Sequence, residues 1–226
     1  MSRSAQPPIV AIDGPSGAGK STVSRMVAEK LGFTYFDTGA MYRCVGLAAT
    51  RANIDPEHMR ELEELLEKLT ISFDGPATRQ NVFMNGEDVT EAIRDHAVSK
   101  AASEFSKLEP VRRRLVNLQR KIGEKGGVVM EGRDIGTNVF PDAQVKIFLD
   151  ASAQVRARRR YDELKEKGQT VNFDKVLEDQ LRRDENDSKR SLNPLRKAKD
   201  AVVIDTSDMS IQAVVQTICN IVKKKH

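Results

Sequence analysis

The chain has 226 residues, of which 39 % are hydrophobic and 31 % charged, with a formal net charge of +4. That length accommodates one α/β domain with insertions and a sizeable core, and the composition is ordinary for a globular protein. A basic balance suits phosphorylated ligands or nucleic acid; yet aromatics are only 5 %, Trp is absent, and acids such as Asp162, Glu163 and Glu166 break up the basic residues, which argues against a base-stacking platform.

In chain order, Met1 to Pro8 lacks the apolar core of a signal peptide, and no later run is long enough to span a bilayer, so a cytoplasmic location is expected. Next comes the apolar run Ile9 to Ile12, followed by Gly14-Pro15-Ser16-Gly17-Ala18-Gly19-Lys20-Ser21 and a helical stretch from about Lys20 to Leu31. Strand, glycine-rich turn and helix in this register form a P-loop. The glycines let successive N–H groups converge on one concavity, and the helix N-terminus adds orphan donors and partial positive charge. The pattern predicts a nucleoside triphosphate site, with Lys20 on the β- and γ-phosphates and the Ser21 hydroxyl on Mg²⁺.

Gly32 is expected to stop the first helix, and Phe33 to Phe36 reads as a second strand. Asp37-Thr38-Gly39 then leads into a helix from about Ala40 to Ala52, and Pro56 to Leu69 carries Leu62, Leu65, Leu66 and Leu69 at helical spacing. Ile71 to Phe73, Asn81 to Met84 and Asp88-Val89 are short strand-like runs, the last two separated by the hairpin pair Asn85-Gly86. They predict a small antiparallel insertion, about Thr70 to Arg94, before helices resume over Ala97–Lys107 and Val111–Glu124.

Val128 to Met130, Val145 to Leu149 and Ala201 to Ile204 bring the expected core strands to five, implying an α/β fold with a parallel sheet covered on both faces. Ligands of such sheets lie beyond the carboxyl ends of the strands. Asp37-Thr38-Gly39 and Gly132-Arg133-Asp134 follow strand ends and become site candidates by placement. Between the last two strands lies a charge-dense stretch, Ser152 to Lys199. Its first helix, with Arg156, Arg158, Arg159 and Arg160 over a thin stripe of Val155 and Leu164, is expected to be poorly buried with its arginines unpaired. Its second helix is expected to pack through Phe173, Val176, Leu177 and Leu181, with Arg183, Asp187 and Arg190 on one continuing face. Lys223 to Lys225 read as a solvated tail. Cys44 and Cys219 show no C-x-x-C spacing, and His58, His96 and His226 no ligand pattern, so neither zinc nor a disulfide framework is expected.

A guanine-reading N-K-x-D motif and a D-x-x-G switch are absent, which excludes a regulatory GTPase of that type. Met130-Glu131 could serve a motor ATPase, but the adjacent Gly132-Arg133-Asp134 does not fit that pattern. Many arginines on the rim point to a second phosphorylated ligand, because the guanidinium fork matches phosphate oxygens. An acceptor that is a phosphate monoester arrives with its nucleophilic oxygen ionised, so positioning and charge neutralisation suffice. A kinase of another small metabolite, such as a shikimate- or pantothenate-type acceptor, and a nucleic-acid-binding ATPase are the alternatives.

The segments IDGPSGAGKST, FDTGAMYR, EGRDIGT, FPDAQVKIFLDAS with the arginine-rich helix, and RRDENDSKR together resemble the bacterial cytidylate kinase family, from about Ile9 to the C-terminal helix. That resemblance implies the nucleoside monophosphate kinase fold: a five-stranded parallel sheet, an enlarged acceptor-binding region and a mobile lid. It divides the chain into a kinase core (1–69 and 95–226, lid about 152–170) and the antiparallel insertion (70–94). The implied reaction is phosphoryl transfer from ATP, with Mg²⁺, to CMP or dCMP, by a monomer without nucleic-acid or membrane partners.

By matching position, Gly14, Pro15, Ser16, Gly17, Ala18, Gly19, Lys20, Ser21 and Thr22 would hold ATP, with Arg158 from the lid. Asp37 would reach Mg²⁺ through water; Thr38, Ser103, Arg112 and Asp134 would line the cytosine pocket; Arg43 and Arg133 would clamp the acceptor phosphate. Arg183, Asp187 and Arg190 would contact sugar and phosphates as the lid closes, and Lys20, Arg133, Arg183 and Arg190 would be catalytic. Thr38 stands where the family also has serine, keeping the hydroxyl. A carboxylate facing cytosine N4 and an arginine facing N3 would favour cytosine and repel uracil O4, tasks that suit Asp134 and Arg112.

Overall fold

The computed structural model describes residues 6–225. Met1 to Ala5, which carry most of the leader reading, and His226 lie outside the described residues. The chain divides into two compact units, one formed by the segments up to Tyr35 and from Gly126 onward, the other by Phe36–Lys125.

The first unit is built on strands β1 (Ile9–Asp13), β2 (Thr34–Asp37, which crosses the division), β6 (Val128–Gly132), β7 (Val145–Asp150) and β8 (Val202–Asp205), in the spatial order β2-β6-β1-β7-β8. Strand β1 lies parallel to both β6 and β7, and β7 parallel to β8. Val10, Ile12, Val129, Met130, Ile147 and Leu149 are almost wholly removed from water. Each such side chain contributes about 1.5–3 kcal/mol. Helix α1 (Lys20–Leu31) ends at Gly32, whose φ of 67° lets it cap the last carbonyls of α1, and α8 (Ile211–Lys225) buries Val214, Val215, Ile218, Cys219 and Val222.

Two further helices of this unit, α6 (Ala153–Glu166) and α7 (Phe173–Lys189), occupy the charge-dense stretch, and here the structure corrects the sequence reading. Arg156 is 5 % exposed and fully engaged by partners, where unpaired arginines were expected. Leu181 is 51 % exposed, and the residue of α7 that enters the interior is Gln180. Helix α7 also stops at Lys189, leaving Arg190 with extended backbone (φ −59°, ψ 136°), so Arg183, Asp187 and Arg190 do not share one continuous helical face. The polar interior of this segment defeats a pattern argument, because a buried hydrogen-bonded Gln looks like a surface residue in sequence.

The second unit packs α2 (Thr38–Arg51), α3 (Met59–Lys68), α4 (His96–Phe105) and α5 (Glu109–Gly123) with a sheet of β3 (Ile71–Asp74), β4 (Asn81–Met84) and β5 (Glu87–Asp88). Both strand pairs are antiparallel, and Asn85 (φ 51°) with Gly86 (φ 84°) forms the two-residue turn that the Asn-Gly pair predicts. Its core joins Met41, Val45, Leu62, Leu66, Val82, Phe105, Val111 and Leu115. Asp37 caps α2 by accepting from the Ala40 N–H at 3.0 Å.

Helices α2 and α4 meet at Gly46, where an added Cβ would lie 2.8 Å from the Ala102 backbone nitrogen. Helix propensity alone would favour Gly46→Ala by about 1 kcal/mol. The overpacking outweighs it, so Gly46→Ala is expected to lower stability by roughly 1–2 kcal/mol in urea unfolding. An unchanged or higher midpoint would show slack between these helices.

Candidate active site

Strand β1 ends at Asp13, and the chain turns at once into the glycine loop. Gly14 (φ 150°) passes so close to β7 that a Cβ would collide with the Leu149 carbonyl, which makes glycine obligatory there. Gly19 (φ 85°) supplies the left-handed step into α1. Pro15 and Ala18 are buried, Ser16 and Gly19 are half-buried, and Gly17, Ser21 and Thr22 are exposed, so the first turn of α1 presents hydroxyls and N–H groups to solvent. The Ser16 carbonyl accepts from Arg156 and Gln180, each at 3.1 Å, and the Ala18 carbonyl from the Thr206 hydroxyl at 3.3 Å.

Lys20 is 6 % exposed, and its Nζ donates to the Pro15 carbonyl at 2.6 Å. Burial, joined by the charge of Arg133, brings this amine down to about 7, against the pull of Glu131, Asp187 and Asp13. Asp13 is 4 % exposed and accepts from the Ile135 and Gly136 N–H groups, both at 2.8 Å. Burial pushes it up to about 6, although those two N–H groups and Lys20 favour the carboxylate. Its two bonds anchor a single π-helical turn, Ile135–Val139, directly after the Gly132-Arg133-Asp134 segment. Tyr35 donates to the buried Glu131 at the end of β6.

The candidates beyond β6 are brought together with those of α7. Arg133 Nε donates to Asp187 at 2.7 Å, and Arg190 lies 3.5 Å from Asp134, both members of the second pair being nearly solvent-free. Asp134 also accepts from the Asn138 amide at 3.0 Å, while Arg190 donates to the Asn193 carbonyl. Burial opposes the charge on Asp187, but Arg133, Arg190 and Lys20 hold its carboxyl below the ordinary range. Arg133 is likewise held above its ordinary value by Asp187 in spite of burial. Arg183 is exposed on α7; Arg158 is exposed on α6, 5.7 Å from the Tyr161 ring and 5.9 Å from that of Phe173.

The remaining candidates belong to the second unit. Thr38 opens α2 and is 3 % exposed; Arg43 pairs with Asp37 at 2.7 Å. Ser103 is half-buried on α4. Arg112 on α5 is 3 % exposed, faces the Tyr42 ring at 5.9 Å and reaches the Ser106 carbonyl at 3.4 Å. Cys44, pushed up to about 12 by burial, is no nucleophile. His58 and His96 are exposed, and no cluster of His, Cys, Asp or Glu suited to a metal occurs among the described residues. No helix of the described residues is long and apolar enough to cross a membrane.

Sequence reasoning missed Asp13, Gln180 and Asp184, and read Arg156 only as an unpaired arginine. Asp13 was within reach, because a carboxylate closing an apolar strand before a P-loop needs a partner. The other three depend on contacts with distant segments. The Arg133–Asp187 pair is expected to stabilise the protein above the ordinary carboxylate range, its contribution vanishing as pH falls through the depressed Asp187 value. At pH 7, Asp187→Asn should cost roughly 1.5–3 kcal/mol in urea unfolding, and the gap from the native protein should narrow in acid. A gap independent of pH would mean that charge is not what the pair contributes.

Residues 10–224 match the protein family described as cytidylate kinase. Cytidylate kinase of Bacillus subtilis is 50 % identical over 216 residues, 96 % of this chain and 96 % of that protein. Cytidylate kinase of Caldicellulosiruptor bescii is 48 % identical over 215 residues, 95 % of each. Among solved structures, an uncharacterized protein from Eubacterium ventriosum covers 97 % of this chain and 99 % of its own at 15 % identity with a TM-score of 0.51, a likeness of fold alone.

Proposed function

The chain belongs to the cytidylate kinase family, and on that premise we propose that it transfers the terminal phosphoryl group of ATP to CMP and dCMP, giving CDP and dCDP. The observation that carries this reading is a buried P-loop lysine in one compact unit with the paired Arg133–Asp187 and Arg190–Asp134. A phosphate donor and a phosphorylated acceptor both require such a concentration of cationic groups.

In this reading Gly14 to Thr22 hold the polyphosphate of ATP. Burial and the charge of Arg133 bring Lys20 down to about 7, and bound phosphates would favour its charged form and draw it from the Pro15 carbonyl. Arg133, Arg183 and Arg190 would neutralise the phosphoryl group in flight, with Asp187 orienting Arg133 and Asp134 orienting Arg190. The acceptor phosphate is its own nucleophile, so the exposed histidines and the inert Cys44 are no obstacle. Arg158, exposed on α6, would serve the ATP side, and the segment of about 152–170 would act as the lid. On the second unit, Thr38, Arg43, Ser103 and Arg112 would take the acceptor nucleotide. The free nucleotides are expected in the cytoplasm, and a monomer suffices for the reaction.

The residues fit Mg²⁺ in its usual mode, in which the ion keeps several waters and takes most ligands from the nucleotide. Ser21 offers an exposed hydroxyl at the first turn of α1, and no carboxylate cage competes among the described residues. The ion would supply charge neutralisation on the β- and γ-phosphates. Asp37, with its oxygens already on Ala40 and Arg43, would add only a water-mediated contact.

A coupled assay of ADP release with CMP, dCMP, UMP, AMP, shikimate and single-stranded RNA tests the reading. Turnover is expected with CMP and dCMP, and turnover stimulated only by shikimate or RNA would replace it. Lys20→Ala should remain folded and lose at least about a hundredfold in turnover.

Asp134 is proposed to read the cytosine amino group, a role that competes with its hold on Arg190 and Asn138. Asp134→Asn should then lower kcat/KM for CMP by the equivalent of ~1–3 kcal/mol. Efficiency with UMP should fall much less, or rise, because the repulsion of uracil O4 is relieved. Equal losses with both nucleotides would leave Asp134 as a scaffold for arginine.

A further inference from the structure

A glycine-rich loop has little conformational preference of its own, so something outside it must fix its peptide planes. The Ser16 carbonyl accepts the Arg156 Nη1 and Gln180 Nε2 donors, both at 3.1 Å. In a trans peptide the C=O and the following N–H point to opposite sides, and no cis bond occurs among the described residues. Two donors on the Ser16 oxygen therefore turn the Gly17 N–H to the face away from α6 and α7.

The donors are themselves held rigidly. Arg156 and Gln180 are each 5 % exposed. The Arg156 fork meets Asp184 bidentately at 3.0 and 2.6 Å, and its Nε donates to the Ala151 carbonyl at 2.8 Å. Gln180 reaches the same Asp184 at 3.2 Å, closing a network of α6, α7 and the loop. Contact is close: a Cβ on Gly17 would stand 3.0 Å from the Arg156 Cβ. Asp184 leaves Arg156 no uncompensated charge, so the guanidinium can be buried beneath a neutral carbonyl.

We propose that Arg156 and Gln180 are positioning residues that clamp the Ser16–Gly17 peptide, so that the Gly17 N–H is presented to the phosphates of the donor nucleotide. The clamp makes the cradle's shape a property of the α6–α7 pair. It also means that the proximal part of the lid segment is tied to the loop; with Arg159 donating to the Thr206 hydroxyl and carbonyl as well, any closing motion belongs to the part beyond Arg159. This inference rests on the P-loop holding ATP.

The test uses the full chain labelled with ¹⁵N-glycine, with inorganic tripolyphosphate and ATP as probes. In the native protein the Gly17 amide should shift downfield as tripolyphosphate binds. In Gln180→Leu, which keeps the size but removes the donor, that shift should shrink and the KM for ATP rise about tenfold, the worth of a lost charge-assisted hydrogen bond. The KM for CMP should change less than twofold. Gln180→Ala, a smaller truncation that also removes the donor, should show the same losses and stands in if Gln180→Leu does not fold, whereas Arg156→Lys keeps a cationic donor on α6 and should keep most of the Gly17 response. A folded Gln180→Leu with native Gly17 response and native KM for ATP overturns the clamp, as does an equal rise in both KM values. A native protein that answers tripolyphosphate at Gly17 yet does not phosphorylate CMP leaves the clamp standing and removes the acceptor assignment. One whose Gly17 amide ignores tripolyphosphate overturns the P-loop reading and the clamp together.

Discussion

Charge held out of water at the carboxyl ends of β1 and β6 is the constraint on which the rest of the first unit depends. Lys20, Asp13, Glu131 and Asp134 are each at most 6 % exposed, in a region whose strands are otherwise apolar. An isolated ion there would be expelled or neutralised, so each has a compensating group. Asp13 takes two backbone N–H groups from the π-helical turn, Glu131 takes the Tyr35 hydroxyl, and Asp134 sits against Arg190. Even so, Lys20 falls to about 7 and Asp13 rises to about 6, the mark of sites where burial outweighs the attraction of partners. Groups poised in this way respond strongly to an incoming polyanion, which is how an assembly costly to fold becomes useful in binding.

The same constraint explains the end of α7. A helix continued through Arg190 would carry that residue along the helix axis; breaking at Lys189 lets Arg190 adopt extended backbone and meet Asp134, one turn after Asp187 has met Arg133. Two carboxylates and two arginines thus alternate between the ends of β6 and α7. Such an arrangement keeps the arginines ionised and oriented, because a charged carboxylate partner favours the guanidinium and fixes its plane.

The second unit follows different physics. Its helices assemble around an apolar core, with the antiparallel strands contributing Val82 and Met84. Close approach is set by small residues such as Gly46 and Ala102 and by capping at Asp37. Periodicity makes this unit legible: Leu62, Leu66 and Leu69 are buried as their spacing predicts, and Asn85-Gly86 turns where expected. Arg112 is the exception, since a buried arginine on an amphipathic helix has no sequence pattern to distinguish it from a solvated one.

By itself the sequence determined the five core strands, the P-loop and its glycines, the hairpin and the candidate residues at strand ends, because each rests on interactions within a few residues: side-chain alternation, glycine stereochemistry, capping and turn chemistry. The motifs also specified the family. Only the tertiary structure decided which charges pair. That Asp187 meets Arg133, that Arg156 is buried on Asp184 and that Gln180, rather than Leu181, enters the interior depend on segments 28 to 164 residues apart. A charged or amide side chain is equally at home in water or in a satisfied buried network, and local sequence carries no record of which partner the fold will bring.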